Sequence, residues 1–391
     1  MSKSNKVERR IIGIDIHPRC FAAAALTINK KKLWVHSRIE MTDLEKWLSK
    51  NVHPGDVLVL ESGCNSFSFA KKVIEHDVEC IILDSVKVGK INKSYLKNDK
   101  DDAVKIAKIH LSGLADDEVW QPDSKTIMRR QILSKYNQMN RSITKSKNMI
   151  KSFLVENGLN FPKGKKVFSK ESKQYLLKHQ ELEISQKLLL EMLFDDLDHF
   201  MKNKKTLARI MAQDLLTDPN AIGLIKLCGI RTICAFALVA AAGDIKRFPT
   251  AKKFAAYLGL VPSVNQSGDN KRHGSIGKAG RKETRTFMVQ GAQAVLKSSD
   301  EYGAGFKEWG IQMIYKKGRN VAVCAIARKM AIAAWYQMNG YKTNVHIPDR
   351  NLDVKLQKIS VEVGQEILKE IGYENSKDFK AKIKQKLAKV A

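Results

Sequence analysis

Five short apolar runs within residues 10–83, two of them ending in an acid, narrow most sharply what this chain can fold into. Arg10–Asp15, Phe21–Thr27 and Lys32–Ile39 read as three successive strands, the last two separated by the turn-like Asn29–Lys31, and antiparallel if the turns are tight. Asp43–Lys50 has a helical pattern, with Thr42 as N-cap and Glu45 at the capping-box spacing. Asp56–Glu61 and Val78–Leu83 have the unbroken apolar character of buried strands, and a helix, Ser66–His76, is expected between them. Three leading strands followed by β-α-β predict an α/β domain over residues 1–120.

From about Ser124 the pattern becomes that of long helices. Ile132, Tyr136, Met139, Ile143, Ile150 and Phe153 recur in alternating three- and four-residue steps, with Ser146 filling one position, which is a heptad-type seam. Asn157–Gly164 breaks it. A second helical stretch, roughly Ser169–Leu216, carries Leu182, Leu189, Met192, Leu193 and Phe200. Two long antiparallel helices are expected over residues 121–217, serving an intrachain hairpin or a subunit contact of coiled-coil type equally well. Pro219 opens a region dense in Ala and Gly, so a mainly α domain is expected over 218–345. Asn351–Ala391 is Lys-rich and helical in pattern, read as a basic arm over 346–391 appended to the core.

Composition decides the kind of partner. The net charge is +28, and it is unevenly spread: residues 1–120 hold 20 Lys and Arg against 17 Asp and Glu, so nearly all of the excess lies beyond residue 120. Such an excess repels itself unless a polyanion meets it, and DNA or RNA is the expected partner, with binding that weakens as salt rises. No apolar stretch approaches the ~18 residues of a membrane span, and residues 1–10 are polar, so a cytoplasmic, nucleoid-associated protein with no membrane partner is expected. The six cysteines stand singly, without zinc-ligand spacing, and read as reduced, mostly buried thiols.

Two constellations carry chemistry. Asp15 and Glu61 each end a strand-like run, and Asp99 and Asp102 lie at the start of a helix, three residues apart and hence on one face, with Asp101 pointing elsewhere. Strand ends and a helix start can converge on one point, and the pattern of three leading strands followed by β-α-β fits an RNase H-like (RuvC-like) α/β domain. Four carboxylates gathered there would repel one another unless cations were present, and a pair of Mg²⁺ ions resolves that conflict. Taken singly, each acid also reads as a turn former or a cap. His17, two residues after Asp15, reads as structural more readily than as a metal or phosphate contact.

The second constellation lies downstream. Leu224–Asp244 reads as helix, tight turn at Gly229, helix, a turn that offers backbone N–H groups to a phosphate or is an ordinary αα connection. Ser263–Gly268 precedes a glycine-spaced basic loop, Lys271–Arg281. Ser267 therefore sits in a strongly positive setting suited to a hydroxyl nucleophile beside a scissile phosphate, or to a plain turn. Lys271, Arg272, Lys278, Arg281 and Arg285 are candidate nucleic-acid contacts. No ATP-binding loop of the G-x-x-x-x-G-K-[ST] type occurs, which favours a DNA rearrangement by transesterification.

Together, Gly13–His17, Leu60–Gly63, Lys97–Ala103, Gly229–Phe248, Leu258–Pro262, Gln266–Gly268, Ile276–Gly280 and Ala325–Met330 resemble the IS-one-ten family of DEDD insertion-sequence transposases, relatives of the pilin-gene invertases. The likeness runs over roughly residues 10–340. It implies that Asp15, Glu61, Asp99 and Asp102 form a metal-binding tetrad and that Ser267 attacks DNA to give a phosphoserine intermediate. Ser263 and Ser275 are the neighbouring hydroxyls that compete for that role. The resemblance further implies a coiled coil between two catalytic domains, a dimer or tetramer, double-stranded donor and target DNA, and a noncoding guide (bridge) RNA. Two other readings remain: a metal-dependent junction-resolving nuclease that uses the acids alone, and a non-catalytic DNA- or RNA-binding protein.

Overall fold

The computed structural model describes residues 9–91, 99–114, 118–267, 270–277, 280–303, 305–341, 343 and 345–389. The chain divides into two compact units, Met1–Pro122 and Asp123–Ala391.

The first unit is a mixed five-stranded sheet with helices. In chain order it comprises β1 (Arg10–Ile16), β2 (Cys20–Thr27), β3 (Lys32–Glu40), α1 (Leu44–Asn51), β4 (Val57–Glu61), α2 (Ser66–Glu75), β5 (Glu79–Leu83), α3 (Ser85–Ile91) and α4 (Asp99–Leu111). The strand order is β3-β2-β1-β4-β5. The first three strands are antiparallel, as their short connections require, and β1, β4 and β5 run parallel. β2 is rich in alanine, a weak strand former, yet it is buried from Phe21 to Thr27 because both its faces are covered. Phe21, Ala23 and Ala25 meet Trp47 of α1 and Phe69 of α2 on one face. Ala22, Ala24 and Leu26 meet Ala103, Ile106 and Ala107 of α4 on the other.

Small residues bring α4 unusually close to the sheet. A Cβ placed on Gly13 of β1 would lie 2.1 Å from the carbonyl oxygen of Ala103 and 2.8 Å from the nitrogen of Ala107. Glycine at that position is what lets the helix settle with its first turn beside the end of β1. The capping box expected at Thr42 does not form: Met41–Asp43 make a 3-10 turn, and α1 begins at Leu44 behind Asp43, which makes no side-chain cap bond. The continuation of β3 to Glu40 shifts the helix start past Thr42.

The second unit contains α5 (Ser124–Glu156), α6 (Lys170–Leu177), α7 (Ile184–Leu216), α8 (Pro219–Gly223), α9 (Thr232–Ala242), α10 (Ala251–Tyr257), β6 (Pro262–Ser267), β7 (Asn270–Ile276), α11 (Lys282–Leu296), α12 (Asp300–Gly303), α13 (Phe306–Lys317), α14 (Arg319–Met338), α15 (Asp349–Val363), α16 (Gln365–Glu370) and α17 (Ser376–Lys389). The Asp123 side chain caps α5 by accepting from the Thr126 N–H at 2.7 Å. α5 and α7 are antiparallel. Arg129, early in α5, pairs with Asp214 near the end of α7 and with Asp218, and Asn157, just past α5, bonds Gln186 at the start of α7.

The seam of α5 is buried as its spacing predicts from Tyr136 to Phe153, including Ser146, but at its start Leu133 is buried in place of the half-buried Ile132. That of α7 differs. Leu190, Leu193, Phe194 and Leu197 face inward, whereas Leu189 and Met192 are half or more exposed. The second helical stretch is also two helices, because the chain reverses between Leu177 and Ile184. With that break, the bulkier stripe containing Phe194 turns toward α5.

α9 is buried on nearly every side, which its Ala-, Val- and Leu-rich sequence allows. The Lys-rich carboxy-terminal segment, expected as an appended arm, differs as well: Leu352, Leu356, Ile359, Phe379, Ile383 and Leu387 join the same core as α9. Apart from the buried Lys355, its described lysines lie exposed or half-exposed on the outward faces of amphipathic helices, so the composition conceals an apolar stripe.

Candidate active site

Parallel pairing sets the acidic site. β1 and β4 are in register at Ile14 and Leu60, so the next residues, Asp15 and Glu61, stand side by side at the carboxy ends of adjacent strands. β5 continues the row, with Leu83 opposite Glu61, and Asp84 follows it. α4, seated on Gly13, brings up Asp102. The result is electrostatic crowding. Burial, followed by the charges of Asp15, Asp102 and Asp84, raises the pKa of Glu61 above its ordinary value.

Asp84 is the acid that sequence reasoning missed. Its carboxylate accepts from the N–H groups of Val86 and Lys87 at 2.9 and 3.0 Å, so it also caps α3. The signal that marks it is the one that marks Asp15 and Glu61, an acid at the end of an apolar run.

Two nitrogen groups stand beside this charge. Lys105 Nζ lies 2.8 Å from Asp102 Oδ1, and His17 Nε2 lies 3.5 Å from Asp15 Oδ2. The donor set is oxygen-rich, partly buried and mutually repelling, which suits a hard divalent cation. Among the described residues, no three His, Cys, Asp or Glu side chains stand close enough together to hold a metal ion. Asp99 begins α4, but its side chain lies outside the described residues. Asp15, Glu61 and Asp102 are thus brought within electrostatic reach, short of ligand spacing.

In the second unit, β6 and β7 form an antiparallel hairpin in which Ser267 pairs with Asn270, Gln266 with Lys271 and Asn265 with Arg272. The side chains of Ser267, Lys271 and Arg272, and Lys278 entirely, lie outside the described residues. The competing hydroxyls are described. Ser263 Oγ donates to the Ser275 carbonyl at 3.3 Å across the hairpin, and Ser275 is exposed.

The base of the hairpin carries an arginine cluster of which sequence reasoning found only Arg281. Arg281 Nε donates to the Tyr257 hydroxyl at 2.9 Å. Arg247 stacks over the rings of Phe248 and Tyr257, at 4.1 and 4.5 Å. Arg130 and Arg247 bond the last carbonyls of α9, those of Ala240 and Ala242, at 3.0 and 2.9 Å. Burial, then the nearby charge of Arg281, pulls the Arg130 guanidinium down to about 10. Burial pushes the Tyr257 phenol up, but Arg281, Arg130 and Arg247 together outweigh it and leave its pKa lowered. Arg285 donates to the Gly277 carbonyl at 3.5 Å, beside the same strand end.

The turn at Gly229 has a φ of +72°, and a Cβ there would lie 2.6 Å from Met330 Cε and 3.0 Å from the Gly291 carbonyl. It is a packed connection between α8 and α9. Cys80, Cys228 and Cys234 are buried, and burial pushes their thiols up to about 12, 11 and 12. Cys64, by contrast, is exposed. No described helix is long and apolar enough to cross a membrane.

Comparison with known proteins finds family matches in both units. Residues 12–157 match a DEDD family model described as Transposase. Residues 224–306 match the model described as Transposase IS116/IS110/IS902 family. The chain belongs to the IS110 family of insertion-sequence transposases. It is 33% identical over 147 residues to a probable family 20 transposase of Pseudomonas aeruginosa, covering 38% of this chain and 44% of that one. It is 29% identical over 197 residues to the transposase for insertion sequence element IS1328 of Yersinia enterocolitica, covering 50% of this chain and 58% of the relative. With the transposase for insertion sequence element IS1111A of Coxiella burnetii the identity is 25% over 255 residues, 63% of this chain and 68% of the relative. The chain thus spans about half the length of the first two relatives it matches.

Proposed function

We propose that this IS110-family chain cuts and rejoins DNA through a phosphoserine link, with Ser267 as nucleophile and Asp15, Glu61, Asp99 and Asp102 as the divalent-metal site. The observation that carries the reading is the electrostatic convergence of Asp15, Glu61 and Asp102 from β1, β4 and α4. An RNase H-like domain is the reading that the strand order β3-β2-β1-β4-β5 supports. The hard oxygen donors suit Mg²⁺, as a pair of ions. When bound, the ions would polarise the scissile phosphate and stabilise the charge that builds on it.

The chain's own groups do the rest. The Ser267 hydroxyl forms a bond to phosphorus as a DNA oxygen leaves, and the proton lost by the serine is balanced by the one that the departing oxygen takes up to become a DNA hydroxyl. The phosphoserine retains the phosphodiester's energy, and a DNA hydroxyl then displaces the serine, so no ATP is consumed. Ser267 is favoured over Ser263, whose hydroxyl already donates to the Ser275 carbonyl. Arg281, with Arg130 and Arg247, supplies a basic anchor for phosphodiester oxygens, and Lys271, Arg272, Lys278 and Arg285 extend it. The charge excess beyond residue 120 is large enough to engage a guide RNA in addition to donor and target DNA. A dimer or tetramer acting in the cytoplasm completes the proposal.

Denaturing trapping of protein–DNA adducts on DNA carrying the element's ends tests it. Wild type forms an adduct, and Ser267→Ala abolishes the adduct with DNA binding nearly unchanged. Adducts that persist in Ser267→Ala refute the serine assignment. Strand cleavage lost in Asp15→Ala but retained in Ser267→Ala would instead establish a hydrolytic nuclease.

A further inference from the structure

A groove of about 1150 Å³ runs along α5 in the second unit, bounded by that helix, by Lys204 of α7 and by the first turns of α11. α5 lines it with Asn137, Arg141, Lys145, Asn148 and Ser152, three or four residues apart and so on one face of the helix. At a rise of about 1.5 Å per residue that stripe is roughly 22 Å long. Such a length suits a polymer of repeating units, and a small metabolite has no use for it.

The groove is positive, and its charge is not balanced from within. Arg141, Lys145 and Lys282 are exposed and Lys204 is half-buried. Among the described residues none of the four forms an ion pair, although Glu283 also lines the groove. Burial, then the charge of Lys147, lowers the pKa of Lys204, and its Nζ lies 5.5 Å from the centre of the Tyr136 ring. Four cations gathered against one acid call for an anion from outside the chain.

The hydroxyls of the lining narrow the choice of anion. Thr144 Oγ1 donates to the Asn140 carbonyl at 3.0 Å, and Thr286 Oγ1 to the Lys282 carbonyl at 3.0 Å. Ser152 Oγ donates to Glu156 Oε1 at 2.8 Å. A hydroxyl has one proton to give, so all three, exposed as they are, offer lone pairs alone to whatever lies in the groove. The DNA backbone has phosphate and ether oxygens and no donor. Each ribose of RNA adds a 2′-hydroxyl, which donates as well as accepts.

We propose that the groove along α5 holds a strand of RNA by its backbone, with the four cations on phosphates and Thr144, Ser152 and Thr286 accepting from 2′-hydroxyls. Walls from three helices admit one strand more readily than a duplex. The rings in the lining are those of Tyr136, which is buried, and Phe287, which is half-buried. Charge and ribose contacts therefore grip the strand, and its sequence is not read. The inference rests on the nucleic-acid reading above, but uses neither the acids nor Ser267.

The test is anisotropy titration of the full chain, over a series of salt concentrations, with labelled single-stranded oligonucleotides of one sequence, RNA in one arm and DNA in the other. RNA should bind at least about threefold more tightly than DNA. Arg141→Gln and Lys145→Gln should each lower the slope of log affinity against log salt for RNA by about 0.7, the share of one phosphate contact on a single strand. Lys151→Gln, exposed on α5 outside the groove, should leave the slope unchanged. Thr144→Val, Ser152→Ala and Thr286→Val combined keep the cations, and should abolish the preference for RNA with DNA binding unchanged. Equal or tighter binding of DNA overturns the inference and leaves the nucleic-acid reading standing. So does a preference that survives the combined variant, or a slope unchanged in both Arg141→Gln and Lys145→Gln. No binding to either polymer overturns the nucleic-acid reading and this inference with it.

Discussion

Glu61 is held at a strand end where burial and the carboxylates of Asp15, Asp102 and Asp84 all favour its protonated form. Its folded pKa lies above the unfolded value of 4.5, so between those two values the folded state binds more protons than the unfolded one. Stability is therefore lost as pH rises through that window and stays lost at neutral pH. Glu61→Gln keeps the shape and removes the charge. Without divalent ions, calorimetry at about pH 7 should show its thermal midpoint raised by on the order of 2 °C, and at about pH 4 no gain. A lower midpoint at neutral pH would contradict the crowding. Asp15 and Glu61 were legible because each ends an apolar run in a parallel pair. Asp84 was not, since an acid before a helix reads first as a cap, which it also is. Arg130 and Arg247 were invisible for another reason: they join Arg281 only because both reach the carbonyl end of α9.

At the scale of elements, the seat of α4 on β1 positions Asp102. Gly13→Ala forces a Cβ against the backbone of Ala103, which cannot yield as a side chain could. Overpacking of this kind costs about 1–3 kcal/mol, measurable as a shift in the urea midpoint. Because the helix must move, the variant should also weaken divalent-ion binding; an unchanged midpoint would show that α4 is not tightly seated. The strands and their order could be read from apolar runs and turns, and the α5 seam from its spacing. The α7 seam could not, because α7 carries two apolar stripes. Ile184, Leu188 and Met192 are as regularly spaced as Leu190, Phe194 and Leu197, yet stay exposed. Periodicity alone does not choose between them; the bulk of Phe194 against α5 does. The carboxy-terminal helices were misread because lysine content masks the stripe from Leu352 to Val363.

For the molecule as a whole, charge and chemistry are divided along the chain. Met1–Pro122 is nearly balanced and gathers the acids, while Asp123–Ala391 carries most of the positive excess and the serine hairpin. A repelling acidic site is tolerable in a DNA-processing protein if cations complete it, and that is the claim on which the functional reading turns. Electron paramagnetic resonance titration of the full chain with Mn²⁺, which shares the oxygen preference of Mg²⁺, tests it most directly. Asp15→Asn, Glu61→Gln and Asp102→Asn should each weaken binding by at least about tenfold, and Asp101→Asn should leave it unchanged. Wild-type affinity in both Asp15→Asn and Asp102→Asn would contradict the account.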